Sequence, residues 1–316
     1  MKNFREGTLI LIILFLGVIL SAVSPVFLTS ANLRALFISV ALDCIVVIGM
    51  SLVIISGGID LSVGAVMALS CSLSAVLYVK GAPFIICVIV GVIASLLCGL
   101  FNGFLISKQK MTPFIVTLAT MTIARGLSFI ITQGYNISLT NKLPPMFKAL
   151  GSGSIVRIPN LVIISFIFII IFDVLFRKSP LFRLVFYSGS NEKAALFSGI
   201  NVSKVKMMAY IFSSALCGLA GILFLSRFSY ASAIVGTGME LNMIAGCVIG
   251  GISMEGGQGT VLGSALGLIM LAIITNGLVL MNISIYWQQF VSGIILITAV
   301  WLDYYRNRVK DRRVTV

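Results

Sequence analysis

The sequence predicts an all-α polytopic membrane protein, with about ten crossing segments of which one or two are short or re-entrant. Three observations predict it. Apolar residues fill 59% of the 316 positions. Charged residues fill only 10%, against about 25% in a soluble domain. The apolar residues also come in long runs, and at ~20 residues per ~30 Å of hydrocarbon they suffice for roughly nine or ten crossings. This excludes an ordinary water-soluble globular protein and a disordered one. Almost no mass is left for a soluble domain, so residues 1–316 read as a single transmembrane domain.

The apolar segments, in order, are 8–28, 36–56, 63–79, 83–106, 114–132, 160–176, 207–226, 241–251, 260–280 and 286–301. Lys2 and Arg5 before the first run imitate a signal peptide, and Ser21-Ala22-Val23-Ser24 offers small residues. The run continues to Leu28 and more spans follow, so an uncleaved first helix is expected. Segment 63–79 is marginal. Segment 241–251 is too short to cross as a simple helix; it re-enters, or borrows residues from Ser232 onward.

Charge tests the count. If all ten segments cross and the N-terminus is inside, fifteen basic residues fall inside: Lys2, Arg5, Lys108, Lys110, those from Arg177 to Lys206 and those after Asp303. Arg34, Lys80, Lys142, Lys148, Arg157 and Arg227 fall outside, and Arg125 lies within a segment. If 63–79 and 241–251 both re-entered, the split would narrow to twelve against nine. Inner loops of membrane proteins carry the Lys/Arg excess, so ten crossings with both termini in the cytoplasm are expected. The net charge of +13 then reads as topology, with no nucleic-acid partner.

Two stretches are not membrane-like. Residues 133–159 form an extracytoplasmic loop with Pro144-Pro145 and Gly151-Ser152-Gly153-Ser154, long enough for a short helix and an external partner. Residues 177–206 form the largest cytoplasmic loop. A weak internal echo also shows: Ile54-Ile55-Ser56-Gly57-Gly58-Ile59 and Val248-Ile249-Gly250-Gly251-Ile252 each place a glycine pair where a segment reaches the inner side. Such breaks leave helix termini beside a pathway in many transporters, or serve close packing. Gly99/Gly103, Gly246/Gly250 and Gly259/Gly263/Gly267 have the spacing for the latter.

Much chemistry is excluded. There is no histidine, which removes Ser-His-Asp catalysis and His-ligated zinc. Cys44, Cys71, Cys87, Cys98, Cys217 and Cys247 lie in apolar runs without a CxxC and read as packing residues. No GxxxxGK[ST] occurs, and Gly257-Gln258-Gly259 fails as a dinucleotide fingerprint because position 262 is Leu and no βαβ unit surrounds it. No catalytic residue, metal or cofactor is expected.

The cytoplasmic loop encodes a short helix. Ser190 or Asn191 can cap its start, and Glu192 sits where the helix dipole favours negative charge. Gly199 fits the left-handed position that ends a helix, and Asn201 or Ser203 can cap the next one. Leu196 and Phe197 are too far from the membrane for both to be buried. Such a helix lies on lipid or docks a cytoplasmic partner.

Asp43 and Arg125 stand inside apolar segments, where a charge facing lipid costs from ~2.5 kcal/mol upward. They pair with each other or line a pathway. Asp60 follows Gly57-Gly58 and either caps the helix beginning near Ser62 or gates that break. Asn102, Asn242, Asn276 and Gln288 could meet solute hydroxyls in a pathway, or bridge helices.

The stretch Ser190-Asn191-Glu192-Lys193-Ala194-Ala195-Leu196-Phe197-Ser198-Gly199-Ile200-Asn201-Val202 closely resembles the GGNEAAARLSGINV segment of the ribose/xylose/arabinose permease family, the membrane subunits of binding-protein-dependent ABC sugar importers. Gly57-Gly58-Ile59-Asp60-Leu61-Ser62-Val63-Gly64 is similar to that family's SGGIDLSVG signature. Val248-Ile249-Gly250-Gly251 with Gly256-Gly257-Gln258-Gly259-Thr260-Val261-Leu262-Gly263 resembles its VIGG…GGxGTVLG block, and Thr275-Asn276-Gly277-Leu278 and Tyr286-Trp287-Gln288-Gln289 are similar to its C-terminal motifs. The resemblance runs from about Leu33 to Trp301. Ser190, Lys193, Asp43 and Ser253-Met254-Glu255 depart from the family pattern, so the particular sugar stays open, ribose first, with autoinducer-2, galactose, xylose and arabinose as rivals.

The resemblance implies a bacterial inner-membrane protein working as a dimer of membrane subunits, with a second copy or close paralogue. It implies a cytoplasmic ATP-binding partner with two fused nucleotide-binding halves, engaged through a coupling helix at 191–199 (Asn191, Glu192, Ala195, Leu196, Gly199). It also implies an extracytoplasmic sugar-binding protein. The alternatives are a stand-alone secondary transporter or channel, and a permease for nucleosides or branched-chain amino acids. Lack of a nucleophile–base pair disfavours a membrane enzyme.

Overall fold

The computed structural model describes residues 3–314, with side chains from Glu6 to Tyr305. Lys2, Arg5 and the basic tail after Tyr305, which carry part of the expected inner charge, lie outside the described side chains. The helices are α1 (Asn3–Val23), α2 (Ser30–Ile55), α3 (Val63–Val79), α4 (Phe84–Ser107), α5 (Pro113–Thr132), α6 (Pro145–Ser152), α7 (Asn160–Lys178), α8 (Pro180–Ser190), α9 (Glu192–Phe197), α10 (Val202–Phe228), α11 (Met239–Ile249), α12 (Val261–Leu280) and α13 (Ile285–Val314). Eight of them are long and apolar enough to cross a membrane, while α3 and α11 are shorter. These ten match the ten apolar segments, and the chain is an all-α polytopic membrane protein.

Boundaries differ from hydropathy where local chemistry overrides it. The first helix ends at Val23 rather than 28, because Pro25 disfavours helical backbone at the residue before it. Thr29 then accepts the Asn32 amide and caps α2. α10 starts at Val202, five residues before its apolar run, because Asn201 caps it through the Lys204 amide. α8, an 11-residue helix opened by Pro180, was not expected. Its polar positions hid it from a hydropathy reading.

α2 and α10 form the centre. Their apolar windows are 83% and 67% buried, against 6% for α1 and α13, which lie at the periphery. Glycines set the crossings. Gly99 and Gly103 of α4 meet backbone of α10, while Gly246 and Gly250 of α11 meet Gly267 and Gly263 of α12. A Cβ at any of these but Gly246 would collide with main chain, and one at Gly246 would strike the Leu268 side chain.

Hydrogen bonds define two faces. On one, the Gly257 amide donates to the Ile55 carbonyl (2.8 Å) and Ser203 Oγ to the Ser107 carbonyl (3.0 Å). There Arg177 joins Glu6 and Asp173 at 2.6 and 2.7 Å, and Thr260 Oγ1 donates to Glu6 (2.8 Å). This face carries α8 and α9. The opposite face carries residues 133–159. Here β1 (Ile137–Ser138) pairs with β4 (Tyr230–Ala231), and β2 (Ser154–Ile155) with β3 (Ile158–Pro159) in a small hairpin. Gly151 N–H donates to Ser226 Oγ (2.8 Å), fastening α6 to the end of α10.

The echoed glycine pairs occupy equivalent positions, at the ends of α2 and α11 on the α9 face. Gly58 N–H donates to the Val53 carbonyl (3.0 Å) and Gly57 N–H to Ile54 (2.9 Å); Ile252 and Gly251 repeat the pattern onto Cys247 and Val248, both at 2.9 Å. Gly57 and Gly251 have φ of +81° and +93°, as a left-handed helix stop requires.

Two crossings are half helical. After Gly58 the chain re-enters the bundle as irregular backbone, and α3 begins only at Val63. After α10, residues 229–238 descend irregularly before α11 begins at Met239. The two breaks meet: Gly64, in the first turn of α3, packs on Gly236, just before α11. α11 rises about 16 Å over its length, so this meeting lies near the midplane of a ~30 Å layer. Irregular backbone at that depth must find partners within the protein. Tyr210 OH donates to the Ile59 carbonyl (3.2 Å) in the first break. Arg125 donates to the carbonyls of Ala233 and Val235 in the second.

Candidate functional site

Arg125 apart, the residues singled out from sequence fall into three places. The first is the α9 helix. Asn191 Oδ1 accepts the Ala194 amide (3.0 Å), the bond an N-cap makes, and Gly199 follows with φ +79°. Glu192 lies between Lys206 Nζ at 2.6 Å and Lys110 Nζ at 3.7 Å. These two bonds and charges hold its carboxyl below the usual glutamate range, the Lys206 hydrogen bond foremost. They tie α9 to the first turns of α10 and to the turn before α5. Ala195 is buried, while Leu196 is 53% and Phe197 92% exposed. The helix is therefore fixed to the bundle through Glu192 and Ala195 and presents its apolar residues outward. Sequence reasoning missed the flanking α8, whose Leu181 and Tyr187 are also exposed. Its signal was the Ser179-Pro180 pair, a helix start with Pro at the first position.

The second place is a buried polar ladder. Thr120 Oγ1 donates to Asn102 Oδ1, Asn102 Nδ2 to Ser62 Oγ (3.0 Å), and Ser62 Oγ to Asp60 Oδ1 (2.6 Å). Asp60 also receives the Ser62 amide (3.0 Å) and Ser213 Oγ (3.1 Å). Asp60 and Asn102 are wholly buried. Asp60 therefore does not cap α3 through its first turns; it closes a turn onto the residue two positions on and pins the first break to α10. Asn102 bridges α4, α5 and this break. Gly57 and Gly58 form the turn just before it. The ladder reads as an anchor, and none of it opens on the cavity described next.

The third place is a cavity of about 800 Å³ among α2, α11, α12 and α13. Asp43, Asn242, Asn276 and Gln288, four of the polar residues expected beside a pathway, all line it. Ser39, Thr237, Thr275 and Gln289 add further polar groups that sequence reasoning missed, and the lining holds no lysine or arginine. Asn276 and Asn32 exchange side-chain hydrogen bonds at 2.9 and 3.0 Å, and Gln288 Nε2 donates to the Ile283 carbonyl (3.0 Å). Asp43 and Arg125 do not pair, since Arg125 is turned to the second break. Among the described residues no group of three His, Cys, Asp or Glu could hold a metal ion.

Residues 31–300 match the family model described as "Branched-chain amino acid transport system / permease component". The chain is 41% identical to the ribose import permease protein of Bacillus subtilis, over 91% of this chain and 89% of that one. It is 32% identical to the ribose import permease protein of Haemophilus influenzae, over 98% of both chains. It is 32% identical to the L-arabinose ABC transporter permease protein of Azospirillum brasilense, over 96% of this chain and 88% of that one. No solved structure matches the chain.

Proposed function

The chain belongs to the transport-system permease family matched over residues 31–300, and from that membership we propose that it is the translocating subunit of an ATP-driven, binding-protein-dependent importer of a monosaccharide, a ribose-like pentose first. The observation that carries the reading is α9. It is a capped helix rigidly fixed on one side and apolar on the other, with Phe197 92% exposed, borne by a chain similar over most of its length to ribose import permeases. A helix so built transmits a push from a protein that grips Leu196 and Phe197. The family's membership in the cytoplasmic membrane places the chain there.

In this reading the α9 face and both termini are cytoplasmic, residues 177–206 form the coupling loop, and residues 133–159 receive an extracytoplasmic sugar-binding protein. A second copy, or a close paralogue, completes the pathway. A separate ATP-binding chain with two fused nucleotide-binding halves drives α9 of each copy. The cavity around Asp43, Asn242, Asn276 and Gln288 is this chain's share of the solute path, and the junction at Gly64 and Gly236 is the rigid point about which the two half-helices lean. The lining holds no lysine or arginine to receive the carboxylate of a branched-chain amino acid, which favours an uncharged solute.

The test is uptake by vesicles holding the complex. ATP-dependent import of ribose with the partners present, abolished along with stimulated ATP hydrolysis when residues 191–199 are scrambled, is the expected outcome. Uphill accumulation by the purified chain without any ATP-hydrolysing partner would instead make it a secondary transporter.

A further inference from the structure

Asp43 and Asp60 are two carboxylates of opposite circumstance. Asp60 receives three hydrogen bonds from its neighbours. Asp43 receives none among the described residues, is half-buried, and faces the cavity. It stands thirteen residues into α2, about 20 Å along the helix, well inside a ~30 Å hydrocarbon layer. No lysine or arginine reaches the cavity, and Arg125 is committed to the carbonyls of Ala233 and Val235. An ionised carboxylate in such surroundings is costly without donors. The neighbouring amides do not supply them: Asn276 directs an N–H to Asn32 and Gln288 directs one to the Ile283 carbonyl. The cavity therefore offers a strong acceptor whose donors must arrive from within it.

We propose that Asp43 is the specificity-determining residue of this cavity, accepting hydroxyl protons from an uncharged, polyhydroxylated solute as it permeates. The proposal rests on the reading of the chain as a monosaccharide permease and adds a second point of selection beyond the protein that delivers the sugar. A solute lacking one of the engaged hydroxyls leaves the carboxylate unpaired, and sites built to bond a hydroxyl reject analogues without it far more strongly than apolar pockets reject a missing methylene. Carboxylate–hydroxyl bonds replace the sugar's bonds to water, so the hold is weak enough for release.

Saturation-transfer NMR on the full-length chain in lipid nanodiscs isolates this step from the binding protein. The probes are pentoses and hexoses, each with its singly deoxygenated analogues. The wild-type chain is expected to prefer at least one parent sugar over a deoxy analogue by about tenfold, and Asp43→Asn to shrink that preference to about twofold. Persistence of the preference in Asp43→Asn, with the helical circular-dichroism signal retained, overturns the proposal. So does equal binding of every parent and analogue by the wild type, a result that needs no variant to fold. Tighter binding of an amine-bearing sugar than of its neutral parent also overturns it, because the site would then select cations rather than uncharged solutes. Import by the whole complex separates the two readings. No ATP-driven uptake of any monosaccharide by wild type defeats the function, whereas unchanged selectivity of uptake in Asp43→Asn defeats this assignment alone.

Discussion

Glu192 shows how one side chain can hold a six-residue helix in place. Alone, α9 is far shorter than the ~12–15 residues an isolated helix needs in water. It is held because its first residue is tied to Lys206 and Lys110 and its cap to the Ala194 amide. Lys206 foremost lowers the Glu192 pKa. A carboxyl depressed in the folded state stabilises it above the unfolded value of about 4.3, and that contribution is lost as pH falls through the depressed folded value. Glu192→Gln is expected to lower the thermal midpoint slightly at pH 7, by less than about 1 kcal/mol since the pair is partly solvated. The gap between wild type and variant should narrow as pH falls from 7 through that depressed folded value. A gap that stays constant over that fall would mean the ion pairs are not what holds α9. Tyr210→Phe tests a part-buried bond instead. It strips a side-chain donor from the Ile59 carbonyl, and an acceptor left unmet away from water costs about 1–3 kcal/mol, read as a lower unfolding midpoint in detergent.

At the scale of elements, the most consequential contact is between two half-helices. A Cβ at position 64 would fall on the Gly236 carbonyl oxygen, and neither backbone has a side chain to move aside. Gly64→Ala is expected to destabilise the chain by about 1–3 kcal/mol or more, as overpacking does; Gly7→Ala, where a Cβ meets nothing within 4 Å, is the silent control. Equal melting of the two variants would show that the breaks do not meet. Hydropathy marked residues 63–79 and 241–251 as short, and Ser232 onward as a way to extend the second, because apolar composition is local. It could not show that the missing halves are irregular chain. Their backbone is satisfied by Tyr210 and Arg125, each more than a hundred residues away from its partner in sequence and on another helix, and no window sees such partners. Asn191, Asn201 and Gly199 were legible because capping acts over three or four residues. The gathering of Asp43, Asn242, Asn276 and Gln288 was legible only as separate polar residues in apolar runs, since their convergence is a property of how α2, α11, α12 and α13 cross.

Over the whole molecule, charge is segregated as well as biased. Arg34, Lys80, Lys142, Lys148, Arg157 and Arg227 flank the face that carries residues 133–159, and no carboxylate of the described residues accompanies them there. Glu6, Asp173, Glu192, Glu255 and Asp303 lie on the α9 face, among its own lysines and arginines. The α9 face thus mixes both signs while keeping a net positive excess, whereas the other carries positive charge alone around an apolar tip whose Met146 and Val156 are 86% and 88% exposed. A soluble protein delivering solute to that face should present carboxylates around an apolar patch. Its encounter would be steered by the field and its grip set by the tip. Raising salt from 0.1 to 1 M shortens the Debye length from about 10 Å to about 3 Å. The association rate of the sugar-binding protein with nanodisc-held permease should then fall by about tenfold or more, with its dissociation rate little changed. Arg157→Glu should slow association already at low salt, and Val156→Ser should instead speed dissociation. An association rate indifferent to both salt and Arg157→Glu would mean that the positive charge here orients the chain in the membrane and does nothing for its partner.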